Sequence, residues 1–120
     1  DMVCRTRHDV LHRMALVPRV MEARGLDVTP GMMEKFKQIK DFRSVDILQV
    51  IYAEEIGHVA IGNRWYHYCC LQKKVDAQDT FKQLVGEYFG GKLRGPFNHK
   101  ARLAAGFEES ELASIEQYLS

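Results

Sequence analysis

Two carboxylates and an imidazole raise the first chemical question in this chain. In the stretch YAEEIGHVAIGNRW, residues 52–65, Glu55 and His58 stand three positions apart, a spacing that puts both side chains on one face of a helix. On a helical wheel begun at Leu48, Glu55 falls about 20° away and His58 about 80° away. Both lie within an apolar arc of Leu48, Ile51, Tyr52, Val59 and Trp65, with Glu54 at its edge. A carboxylate in such a seam is costly unless it is paired, protonated or bound to a cation. Glu22 poses the same problem, about 20° from Leu11 on the wheel of an earlier helix and in line with Cys4, Ala15 and Pro18. Hard carboxylate oxygens can bridge two cations, while an imidazole adds a nitrogen ligand and leaves positions open for oxygen or water. A glutamate on one helix followed by Glu-x-x-His on the next is half of a two-metal site of iron or manganese. The candidate metal ligands are therefore Glu22, Glu55 and His58. The competing reading is an ordinary polar pair, because Glu-x-x-His alone arises often by chance.

These residues need two helices to position them. The apolar spacing predicts helix A from about Val3 to Arg24, with Leu11, Ala15 and Pro18 on its buried stripe, flanked by Met14 and Met21. Pro18 cannot donate to the carbonyl of Met14, so a kink is expected there. Gly25 suits a left-handed cap. Thr29-Pro30 reads as a cap and first position of a short connector helix through about Lys40, with Met33, Phe36 and Ile39 inward. Helix B is expected from Ser44 to about Gln72, capped by Ser44 or Asp41. Its seam of Leu48, Tyr52, Glu55, Val59, Gly62, Tyr66 and Cys69 alternates steps of four and three. Asp76 is the expected cap of a third helix with Phe81, Leu84, Val85 and Tyr88 inward, ending at Gly90-Gly91. A Gly95-Pro96 turn leads to a short helix from Asn98 to Ala105. The last helix, about Glu109 to Leu119, packs through Leu112, Ile115 and Leu119. No stretch alternates as a strand would. The fold class is all-α: two long antiparallel bundle helices over residues 1–72 and a helical extension over 73–120, in one domain.

The 120 residues carry a formal net charge of +1, which leaves no broad electrostatic footprint for nucleic acid. No apolar run approaches the ~20 residues that span a bilayer. Neither nucleic acid nor membrane is an expected partner. Three cysteines, Cys4, Cys69 and Cys70, form no Cys-x-x-Cys pair, and an odd count points to reduced thiols and a cytoplasmic setting. Cys69 and Cys70 are read as buried and inert. His12 and His67 are expected in solvent, His8 near the site, and Arg7 on the buried stripe as a counter-charge. Trp65 beside Arg64 packs, and near a metal would shield it. Lys92, Arg94, His99, Lys100 and Arg102 form a modest basic cluster with Phe97, read as a solvated face.

The segments EARGLDVTP, YAEEIGHVAIGNRW and GPFNHKARLAAGF together resemble the C-terminal half of a bacterial ferritin-like family of unknown function. The resemblance covers nearly the whole chain. It implies that Glu22 corresponds to the third-helix glutamate of a four-helix bundle, and Glu55 with His58 to the fourth-helix motif. It also implies that the first two bundle helices, with their own ligands, lie outside this sequence. Two completions follow: a homodimer, in which a twofold axis assembles two copies of each ligand, or the missing N-terminal half of a longer parent protein. The implied function is that of a two-metal carboxylate protein performing oxygen-dependent oxidation or hydroxylation. The alternative is a non-catalytic helical interaction module with a structural Glu/His network, and metal content discriminates the two.

Overall fold

The computed structural model describes residues 1–119. Among them every regular element is helical, as the all-α class requires. A short α1 (Met2–Arg5) is followed by α2 (Val10–Leu16), which runs without a break through a π-helical turn, Val17–Glu22, into α3 (Ala23–Gln38). A tight turn leads to α4 (Phe42–Lys73), and α5 (Ala77–Phe89), α6 (His99–Ala104) and α7 (Glu109–Ser114) complete the chain, the last extended by a π-helical turn, Ile115–Leu119. At a rise of about 1.5 Å per residue, the 32 residues of α4 account for the longest dimension of the molecule, 50 Å.

Helix A differs from expectation at both ends. It does not run from Val3: the chain turns at residues 6–8, and Asp9 caps a fresh start by accepting from Leu11 N at 2.9 Å. Cys4 and Arg7 are consequently exposed rather than on a buried stripe. Nor does the helix stop near Arg24. Gly25 is helical, Thr29 is no cap, and Pro30 lies inside α3. The backbone accounting explains this. Pro30 cannot donate to the carbonyl of Leu26, but Asn98 Nδ2 donates to that oxygen at 3.0 Å instead. Thr29 Oγ1 bonds back to Gly25 O at 2.6 Å. The helix therefore continues until Lys40 adopts a left-handed φ of 60° and Asp41 N closes onto Phe36 O at 2.9 Å. In this arrangement Ile39 is exposed, not inward.

At Pro18, where a kink is expected, the helix continues through a π turn. With no N–H on Pro18 the ladder widens by one residue, and Ala23 N donates to Pro18 O. Here the two long helices approach closely: any side chain at Gly62 of α4 would collide with the Pro18 ring. Seven residues further along the first helix, Gly25 faces Glu55, seven residues back along α4. The helices are thus antiparallel, and by the same register Glu22 lies across from His58.

The expected seam of α4 is the one buried: Val59, Gly62, Tyr66 and Cys69 are inside, with Leu48, Tyr52 and Glu55 half-buried. Asp41 is its cap, accepting from Ser44 N at 3.1 Å. Asp76, Gly90 and Asn98 act as expected at the ends of α5 and α6. Phe81, Leu84, Val85, Leu112, Ile115 and Leu119 join Leu16, Leu26, Val59 and Tyr66 in one continuous core. No helix among the described residues is long and apolar enough to cross a membrane.

Candidate functional site

Glu22 ends the π turn and Glu55 and His58 stand one turn apart on α4. The structure brings the three together across the helix pair. His58 Nδ1 lies 3.8 Å from Glu55 Oε2, and the carboxyl of Glu22 is a neighbour whose charge disfavours ionisation of Glu55. Burial is the first cause that holds the Glu55 carboxyl above its ordinary value, and the charge and hydrogen bonding of Glu22 add to it; His58 opposes both. Glu55 Oε1 is buried without a hydrogen-bond donor among the described residues. Two neighbouring carboxyl groups, one with a buried oxygen that has no donor, call for a proton or a cation. Carboxylate oxygens and an imidazole nitrogen are donor types suited to iron or manganese.

The set is open on one side. Glu55 is 26% exposed and His58 62%, so His58 belongs to a second, outward stripe rather than to the buried seam. Among the described residues no group of three His, Cys, Asp or Glu side chains is arranged to hold a metal ion by itself. A hollow of about 300 Å³ adjoins the pair, with Glu22 and His58 on its wall beside Met14, Val17, Ile61 and Trp65. Trp65 is 54% exposed and meets Tyr68 edge to face.

The other candidates fall elsewhere. His8 is exposed and meets His12 edge to face. His12 is not solvated as expected: its Nδ1 pairs with Tyr88 Oη at 3.0 Å. His67, also expected in solvent, is half-buried 3.9 Å from Glu111. Cys69 and Cys70 are buried free thiols, and burial pushes the Cys70 thiol up, away from nucleophilic character.

Two buried networks have no counterpart in the sequence reading. Arg19, fully buried, pairs with Glu111 and sits against the rings of Tyr66, Phe81 and Phe107 at 4.5, 4.5 and 4.8 Å. Its position four after Ala15 on the stripe was the available signal. Asp27, its side chain fully buried, receives Arg102 Nε and Nη2 at 2.9 and 2.6 Å and the backbone N–H of Asn98 at 2.8 Å. Asn98 Nδ2 reaches Tyr52 Oη at 2.7 Å as well. Residues 27 and 102 are too far apart in sequence for any local pattern to link them.

The model of the family described as protein of unknown function (DUF455) matches residues 1–113. A protein of Haemophilus influenzae, described as uncharacterized, is 49% identical over 112 residues, which are 93% of this chain. The chain spans only about 39% of that relative's length. No solved structure matches.

Proposed function

We propose, for a chain that belongs to the family of proteins of unknown function DUF455, that Glu22, Glu55 and His58 are this segment's share of a ferritin-like two-metal carboxylate site. The observation that carries the reading is the buried, donor-less Oε1 of Glu55, on a carboxyl that neighbours that of Glu22 and whose other oxygen, Oε2, lies 3.8 Å from His58 Nδ1. Glu22 and Glu55 would act as terminal or bridging oxygen ligands and His58 as the nitrogen ligand. Bound iron or manganese would supply the electron transfers that oxygen-dependent oxidation or hydroxylation of a substrate requires.

This chain's own residues do the rest. The π turn widens the backbone at Val17–Glu22, a distortion frequent at functional sites. Gly25 faces the Glu55 stem, whose Cγ would stand in ordinary van der Waals contact, 4.0 Å, with an added Cβ. Trp65, Met14 and Ile61 offer an apolar wall beside the ligands, and an apolar wall keeps water from competing for them. The exposure of His58 and the shortness of the chain relative to its Haemophilus influenzae counterpart favour completion by further helices, from a longer parent chain or from a second copy.

Manganese titration of the metal-free chain, followed by electron paramagnetic resonance of the free ion, tests the ligand set. Wild type is expected to take up the ion stoichiometrically and Glu55→Ala to lose that uptake. Equal uptake by both proteins would contradict the assignment. The openness of the site favours a second reading, a non-catalytic helical module in which Glu55 and His58 only satisfy each other. That reading predicts no stoichiometric uptake by a folded wild type.

A further inference from the structure

A larger hollow, separate from the one beside Glu22 and His58, encloses about 440 Å³, inside the range of roughly 300–1,000 Å³ typical of small-molecule sites. Its apolar lining comes from Val20 and Met21 on the π turn, Phe89 at the end of α5, and Leu93 and Phe97 in the loop before α6. Four cations border the same space, Arg24, Lys92, Arg94 and Arg102, and among the described residues no carboxylate lines it. The basic cluster of the sequence is therefore not merely a solvated face.

Arg102 is the most constrained of the four. It is 2% exposed, with Nε and Nη2 bonded to Asp27 and the ring of Phe97 at 5.0 Å. Its Nη1 is buried without an acceptor among the described residues. Arg24 approaches the same Asp27 at 3.6 Å and donates to the backbone carbonyl of Arg94 at 2.7 Å, so that the helix holds the loop against the cavity. Asp27 thus offsets part of the charge of the three guanidinium groups, Arg24, Arg94 and Arg102, and positive potential remains over an apolar floor. An inorganic anion would leave that floor wet. A neutral apolar molecule would make no use of the guanidinium groups of Arg24 and Arg94 at its rim.

We propose that this cavity binds an amphipathic organic anion, with an acyl or aromatic tail against Phe89, Leu93 and Phe97 and a carboxylate or phosphate head at Arg24 and Arg94. Guanidinium forks match the paired oxygens of either head. The site shares no residue with Glu22, Glu55 and His58, and stands or falls independently of the metal reading.

Calorimetric titration of the 120-residue chain with octanoate and with octyl phosphate, against octan-1-ol and inorganic phosphate, tests the proposal. One saturable site is expected for at least one of the two amphipathic anions, tighter than either control by about tenfold or more; the preferred head identifies the source of the ligand. Arg94→Gln changes an exposed side chain and is expected to weaken binding several-fold at unchanged helix content. Met21→Trp, filling the cavity from its open edge, is expected to abolish binding. The proposal is overturned if neither anion saturates, if octanol or inorganic phosphate binds as tightly, or if Met21→Trp retains full affinity.

Discussion

At Glu55 the physical tension is between burial, a neighbouring carboxyl and a half-exposed imidazole. The first two hold its carboxyl above the ordinary value of 4.5. A raised value means that the folded state binds this proton more tightly than the unfolded one. The associated stability is fully present below about pH 4.5 and is lost as the pH rises through the raised value. Glu55→Gln, permanently neutral, is accordingly expected to raise the Tm of the metal-free protein at neutral pH and to leave it unchanged below about pH 4, as followed by circular dichroism. Arg19 poses the opposite case, a buried charge already paired. Removing its partner in Glu111→Ala leaves the guanidinium unpaired among three rings and should cost about 3–5 kcal/mol in urea denaturation. A cost below about 1 kcal/mol would mean that the pair contributes as little as a surface ion pair. The metal candidates were legible because helical spacing alone brings Glu55 and His58 to one side and Glu22 onto a neighbouring helix. Arg19 was not read from its spacing, although it lies four residues after Ala15; its aromatic enclosure comes from residues 47 to 88 positions away.

At the level of elements, the close approach of the π turn to α4 sets the register that brings Glu22 opposite His58. Gly62 permits that approach, because a methyl there would overlap the Pro18 ring. Gly62→Ala, although it improves helix propensity, is expected to destabilise the protein by about 1–3 kcal/mol through overpacking, read from the shift in denaturant midpoint. A neutral or stabilising result would mean that the helices separate at little cost. Element identity was largely legible, since the α4 seam and the caps Asp41, Asp76 and Asn98 follow from spacing and residue type. The misreading of Thr29-Pro30 has a definite cause. Whether a proline ends a helix depends on what receives the carbonyl it leaves vacant. Here the donor is Asn98, 72 residues away, and no local pattern carries that information.

For the molecule as a whole, the outward side of α4 remains to be accounted for. Ile47, Ile51, Glu54, His58, Ile61, Trp65 and Tyr68 recur at steps of four and three, the period of a packing seam, yet its large apolar members are about half exposed. This stripe contains His58 and borders Glu22, so whatever covers it would also close the candidate site. The isolated chain is expected to associate with itself in a concentration-dependent way. Trp65→Lys, a change at an exposed position, should shift light-scattering masses toward the monomer of 13.8 kDa without loss of helix. A wild type that is monomeric at all concentrations would show that this face needs no cover. The most direct test of the central claim joins association to metal content: size-exclusion chromatography with inline mass and elemental detection after reconstitution with ferrous iron. The account predicts about one iron per chain, carried by the associated species and lost with Glu55→Ala. Iron absent from a well-folded associated species, or equally present in the variant, would contradict it.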